Sequence, residues 1–153
     1  MPQTSVVTDS NVERRDSAQR WGALGGTAGE PPFSCTWRGD VGVGWVRLAG
    51  ELDPATSPQL KRTLRKALSN ARLVILDLRT LTFMDTAGLH VIVDASVRAQ
   101  QQGRRLIVVR GPAEVDALFD MTGAAKDVEI LDLQPMEPPT QALLQLSRKH
   151  FAV

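Results

Sequence analysis

Two short apolar runs, Leu73–Leu78 and Leu106–Val109, each follow a segment whose apolar residues recur at helical spacing. This alternation narrows the fold more than any other feature of the chain. A strand that is apolar at nearly every position has to be covered on both faces, which suits the middle of a parallel sheet. Strand–helix–strand units with right-handed crossovers supply that cover. The stripe before the first run is Leu60, Leu64, Ala67 and Leu68. Ser57 is expected as its N-cap, Pro58 as its first helical residue and Asn70 as its end. Between the runs, Leu89, Ile92, Val93 and Val97 predict a helix that begins near Ala87 and ends by Gly103. After the second run, Gly111-Pro112 opens a third helix with Val115, Leu118 and Phe119 on one side. Gly123 stands where a C′ glycine belongs. Val128–Leu131 reads as a short last strand.

The two ends add less regular pieces. Ser34–Arg38 and Val43–Ala49 alternate around Gly39-Asp40, which predicts a hairpin with Val43, Trp45 and Leu48 as buried candidates. Gly50–Asp53 is expected to leave the sheet. Residues 134–139 form a linker, and residues 140–151 a last helix with Arg148, Lys149 and His150 near its negative end. Residues 1–33 carry too few large apolar groups to offset the entropy of ordering them. The expected class is α/β: a single domain with a mainly parallel mixed sheet of about five strands, four helices and an N-terminal hairpin strand. Its parts are a flexible N-terminal arm (1–33), the domain proper (34–133), and a linker with C-terminal helix (134–153).

Composition then bounds function. At 153 residues, 42% hydrophobic and 23% charged, the chain fits one soluble globular domain. A net charge of +1 implies neither nucleic acid nor an anionic membrane as partner. No run approaches the ~20 apolar residues that cross a bilayer, and no leader pattern is present, so the cytoplasm is the expected location. Cys35 is the only cysteine, and His90 and His150 lie far apart. Neither a zinc site nor a Cys/His nucleophile pair follows from such spacing. Without a phosphate-cradling glycine loop there is no positive reason to expect an enzyme, a metal or a cofactor.

Parallel strands send their exit loops to one edge of the sheet, the edge where α/β proteins tend to place their sites. Asp53 and Asp85-Thr86 are therefore expected near each other. Asp85-Thr86 has two readings. It is a helix start with aspartate as cap, or Thr86 is an exposed phosphoacceptor whose phosphate would meet backbone N–H groups and a positive helix end. Asp53 is either a turn former or a partner of Asp85 in positioning Thr86 or binding a cation, although two carboxylates without further ligands are a weak metal signal. Lys61, Arg62, Arg65 and Lys66 are either a solvated helix face or a docking patch for an acidic surface. His90 is a surface or interface residue.

Gly50-Glu51-Leu52-Asp53, Leu76-Asp77-Leu78, Phe83-Met84-Asp85-Thr86-Ala87-Gly88-Leu89 and Leu118-Phe119 with Thr122-Gly123 resemble the STAS family. That family is shared by sulfate transporters and bacterial anti-sigma factor antagonists. The resemblance runs from about Ser34 to Leu133 and implies a partner switch. An unphosphorylated antagonist binds an anti-sigma factor, itself a serine/threonine kinase, and frees the sigma factor. The kinase modifies the residue after the motif aspartate, here Thr86, and a phosphatase reverses it. Asp53, Asp85, Thr86, Ala87, Gly88 and His90 are the partner-binding residues this implies. Thr86-Ala87 stands where many antagonists carry Ser-Ser. The alternatives are a stand-alone STAS subunit of a membrane transporter and an interaction module that is never phosphorylated. A hydrolytic enzyme using Asp53 and Asp85 is a further class, without a phosphate loop to support it.

Overall fold

The computed structural model describes residues 32–151, with side chains up to residue 147. The expected arm falls outside these residues apart from Pro32 and Phe33, as do the side chains of Arg148, Lys149 and His150. Five strands form one sheet in the order β1 (Ser34–Asp40), β2 (Val43–Leu52), β3 (Leu73–Met84), β4 (Arg105–Val109) and β5 (Glu129–Leu131). The hairpin strand β1 is antiparallel to β2, and every other neighbouring pair is parallel. Four helices connect or follow them: α1 (Ser57–Asn70), α2 (Thr86–Gln101), α3 (Ala113–Thr122) and α4 (Gln141–Phe151). This is the mixed, mainly parallel α/β sheet with an N-terminal hairpin expected from the alternating pattern.

Residue parity sorts the sheet's two faces. Cys35, Trp37, Val46, Leu48, Val74, Leu76, Leu106 and Val108 point into one core with α1, α2 and α3. Ile75, Ile107 and Val109 point the other way, into a smaller core closed by Leu131 and by the fully buried Ala142 of α4. The central strands are apolar at consecutive positions because both faces are covered. The last helix thus packs on the domain, with Leu143 and Leu146 beside Ala142. Its approach is fixed by Arg79. The guanidinium binds both carboxylate oxygens of the buried Asp77 (3.0 and 2.9 Å) and donates to the carbonyls of Gln134 and Glu137 (2.6 and 2.7 Å). The hydrogen bond to Asp77 holds the Arg79 pKa above its ordinary value.

Three expectations change. In β2 the buried large side chains are Val46, Leu48 and Leu52, whereas Val43 and Trp45 are half-buried, and Trp45 packs on the α4 side. The hairpin pattern alone could not tell which of two covered faces was the deeper. In α2 the buried apolar stripe is Leu89, Ile92 and Ala99, with Ser96 in line donating to the Asp127 carbonyl (3.1 Å). Val93 is half-buried and Val97 exposed. Thirdly, Gly50–Leu52 does not leave the sheet. Strand β2 stays paired to β3 as far as Leu52 opposite Met84, across two register shifts in which β3 carries the extra residue. Gly50 adopts φ 93°, a left-handed conformation that glycine accepts without strain. The hydroxyls of Thr80 and Thr82 donate to the carbonyls of Leu48 and Gly50 (2.5 and 3.1 Å), binding groups that the irregular ladder leaves over.

Candidate protein-interaction site

Leu52 and Met84 are register partners at the carboxyl ends of adjacent parallel strands, so the chain leaves both at the same edge. The Asp85 N–H donates to the Leu52 carbonyl (3.1 Å), joining the two exits directly. Asp53 and Asp85, each one residue further on, therefore begin neighbouring loops. This is the juxtaposition that the parallel topology predicts.

Asp85 is the N-cap of α2. Its Oδ1 accepts the N–H groups of Ala87 (2.9 Å) and Gly88 (3.2 Å), and its carbonyl accepts that of Leu89 (3.1 Å). Thr86 is the first helical residue and is exposed, and its hydroxyl has no hydrogen-bond partner among the described residues. The capping and exposed-hydroxyl readings of this pair thus coexist on different residues. An incoming phosphate would not find Ala87 and Gly88 N–H vacant, because the Asp85 carboxylate already occupies both.

Gly88 has a structural reason that the motif does not reveal. A Cβ there would lie 2.5 and 2.6 Å from Cγ and Cδ2 of Leu52, closer than carbon atoms approach without displacement. The helix start sits directly on the end of β2, and only a glycine leaves room. Ala87 beside it is half-buried, and His90, one turn on, is exposed.

Asp53 organises the other loop. Its Oδ1 accepts the N–H groups of Ala55 and Thr56 (both 3.0 Å), and its carbonyl accepts Thr56 N–H (3.1 Å) and Ser57 N–H (2.8 Å). Thr56 Oγ1 in turn accepts Asp53 N–H (2.9 Å). This closed turn moves the start of α1 forward by one residue. Thr56, not Ser57, is the N-cap, and Pro58 follows Ser57 within the first turn. Within the described residues no group of three His, Cys, Asp or Glu side chains could hold a metal.

The same rim carries Phe83, 47% exposed and paired with Glu51 in the register. Read only as part of the motif, it showed no separate role. The sequence held no signal for it: Leu81-Thr82-Phe83 alternates as if Phe83 shared the buried face of Leu81, whereas Thr82 and Phe83 are both exposed at the second register shift. Exposed aromatic rings beside polar groups are common anchors in protein interfaces.

The sequence pattern of the STAS domain matches residues 36–137. A protein of Paenibacillus polymyxa named anti-sigma F factor antagonist is 36% identical over 93 residues, covering 60% of this chain and 80% of that protein. The fold is similar to that of an anti-sigma factor antagonist from Mycobacterium paratuberculosis (TM-score 0.63, 17% identity, 79% of this chain and 99% of the other). It is also similar to the Bacillus cell fate determinant SpoIIAA in its phosphorylated form (TM-score 0.57, 18% identity, 75% and 99%). No helix among the described residues is long and apolar enough to cross a membrane. With the parallel strands, the Asp85-capped helix and all but the first two residues of the hairpin strand inside the matched segment, the chain belongs to the STAS domain family.

Proposed function

We propose that this protein is a cytoplasmic anti-sigma factor antagonist, a regulator that acts by binding. It engages an anti-sigma factor, a serine/threonine kinase, through the rim formed by Asp53, Asp85, Thr86, Ala87, Gly88 and His90, and so releases a sigma factor. Phosphorylation of Thr86 by that kinase switches it off, and a phosphatase restores it. The observation that carries this reading is the Thr86 hydroxyl, exposed at the first position of α2 and free of hydrogen bonds among the described residues. A kinase needs an accessible hydroxyl, and here none has to be prised from a partner. The names of the similar proteins supply the class of partner.

The physics of the switch is local. A phosphoryl group adds roughly −1.5 to −2 of charge at the rim. The positive end of α2 tolerates it, while the neighbouring Asp85 carboxylate opposes it. A partner docked on this surface would meet the new charge at close range, where like-charge contact costs several kcal/mol. Binding is lost without unfolding.

The test mixes the protein with its cognate anti-sigma kinase and ATP and follows intact mass. One added phosphoryl group, absent in Thr86→Ala, is expected, together with much weaker kinase binding by Thr86→Glu. No mass gain, with Thr86→Glu binding as tightly as wild type, would overturn the switch. Co-purification with a transporter complex in place of kinase binding would favour the transporter subunit instead.

A further inference from the structure

The four basic residues on α1 divide into two pairs. Arg62 and Lys66 are engaged in other interactions. Lys61 and Arg65 instead line a groove between α1 and α2, where Arg98 of α2 joins them. The groove is a cavity of about 300 Å³, at the lower end of the range for small-molecule sites. Its floor is apolar, built from Leu64 and Leu68 of α1 facing Val91 and Ala95 of α2. These residues recur at helical spacing along two neighbouring helices, and the lining extends from Lys61 to Ser69 of α1, about 12 Å at 1.5 Å rise per residue.

Its cations are notable for what they lack. Arg79, Arg105 and Arg110 each sit on a carboxylate within 3 Å. Lys61, Arg65 and Arg98 have no such ion pair among the described residues, although Asp94 lies in the same lining. With that acid counted, the rim still carries an excess of positive charge. An apolar trough of about 300 Å³, edged by cations without an ion pair among the described residues, complements a molecule with an apolar body and one anionic head.

We propose that the α1–α2 groove binds a small amphiphilic anion, a short single alkyl chain bearing a phosphate head. The chain lies over Leu64, Leu68, Val91 and Ala95, and the head is held by Lys61, Arg65 and Arg98. This inference does not depend on phosphorylation at Thr86.

Octyl phosphate, kept below its micelle-forming concentration, is the probe. Amide shifts of the whole protein are followed by two-dimensional NMR at low ionic strength. Octyl glucoside (same chain, neutral head) and inorganic phosphate (head alone) run as separate arms. Octyl phosphate should move amides within residues 61–69 and 90–102, saturate, and weaken as salt is added. Both other arms should bind at least about tenfold more weakly, and K61Q/R65Q/R98Q should lose octyl phosphate by a similar factor. Ala95→Trp, which fills the trough without touching its charge, should also abolish the shifts and covers the case in which the triple variant does not fold. The proposal is overturned by shifts that map to the α4 face, by unchanged affinity in either variant, or by no saturable shift at all. Equal binding of octyl glucoside would overturn the role of the cations.

Discussion

Replacing Gly88 with alanine tests whether the start of α2 really rests on the end of β2. The new Cβ would meet Leu52 Cγ at 2.5 Å and Cδ2 at 2.6 Å, with Met84 Cγ at 3.3 Å. Leu52 is fully buried and cannot swing into solvent. Overpacking of this kind costs about 1–3 kcal/mol. Alanine gains back about 0.8–1.0 kcal/mol over glycine as a helical residue. The net expectation is a loss of about 1 kcal/mol, read as a lower urea midpoint at unchanged slope. A double-mutant cycle isolates the cause. Leu52→Ala alone should cost about 2–5 kcal/mol by leaving a cavity. In that background the Gly88→Ala methyl has space, so the substitution should be neutral or stabilising, a coupling of about 1–2 kcal/mol. If Gly88→Ala stabilises the wild-type background by its full helix propensity, or if the two substitutions are additive, the close-approach argument is wrong.

Other interactions give further outcomes. Asp85→Ala should cost about 1 kcal/mol through loss of the cap, with faster hydrogen exchange at the Ala87 and Gly88 amides, while Asp85→Asn stays near wild type. Asp77→Ala should cost about 3 kcal/mol by stranding the Arg79 guanidinium, and proteolysis within residues 134–140 should quicken as the linker loosens. Arg105→Gln removes an exposed pair with Glu129 and should change stability by less than about 1 kcal/mol, vanishing at high salt. Ala142→Glu forces a carboxylate into the second core. Detachment of α4 should appear as binding of an apolar dye that the wild type does not take up.

Legible in the sequence were the helices with a single covered face and the two central strands, apolar at nearly every position because both faces are covered. Leu60, Leu64, Ala67 and Leu68 repeat at 3.6 residues on a helix with one buried side, and all four are buried. Gly123 ends α3 in the left-handed conformation because no other feature competes for that position. Where two surfaces compete, periodicity misleads. Trp45 and Val46 lie on opposite faces of a sheet covered on both, and β-propensity does not rank them. Ser96 reads as a polar interruption of the α2 stripe, yet its hydroxyl is spoken for by a carbonyl 31 residues away. The reach of β2 to Leu52 depends on register shifts and on two threonine hydroxyls from another strand, which no local window contains. The site divides the same way. Asp85 is recognisable as a cap from its neighbours alone, whereas the role of Gly88 requires knowing that Leu52 lies beneath it.

Leu52 holds three positions at once: last rung of β2, acceptor of the Asp85 amide, and seat of the α2 start. The loops bearing Asp53 and Thr86 consequently cannot drift apart or change their relative height without breaking the core. A protein docking on this edge, as proposed, would meet them as one stiff rim, already in its final shape. Little conformational freedom remains to be lost on docking, so even a modest contact area can yield useful affinity. The same stiffness sharpens discrimination, because a charge added at one point of an unyielding surface cannot be moved out of the way.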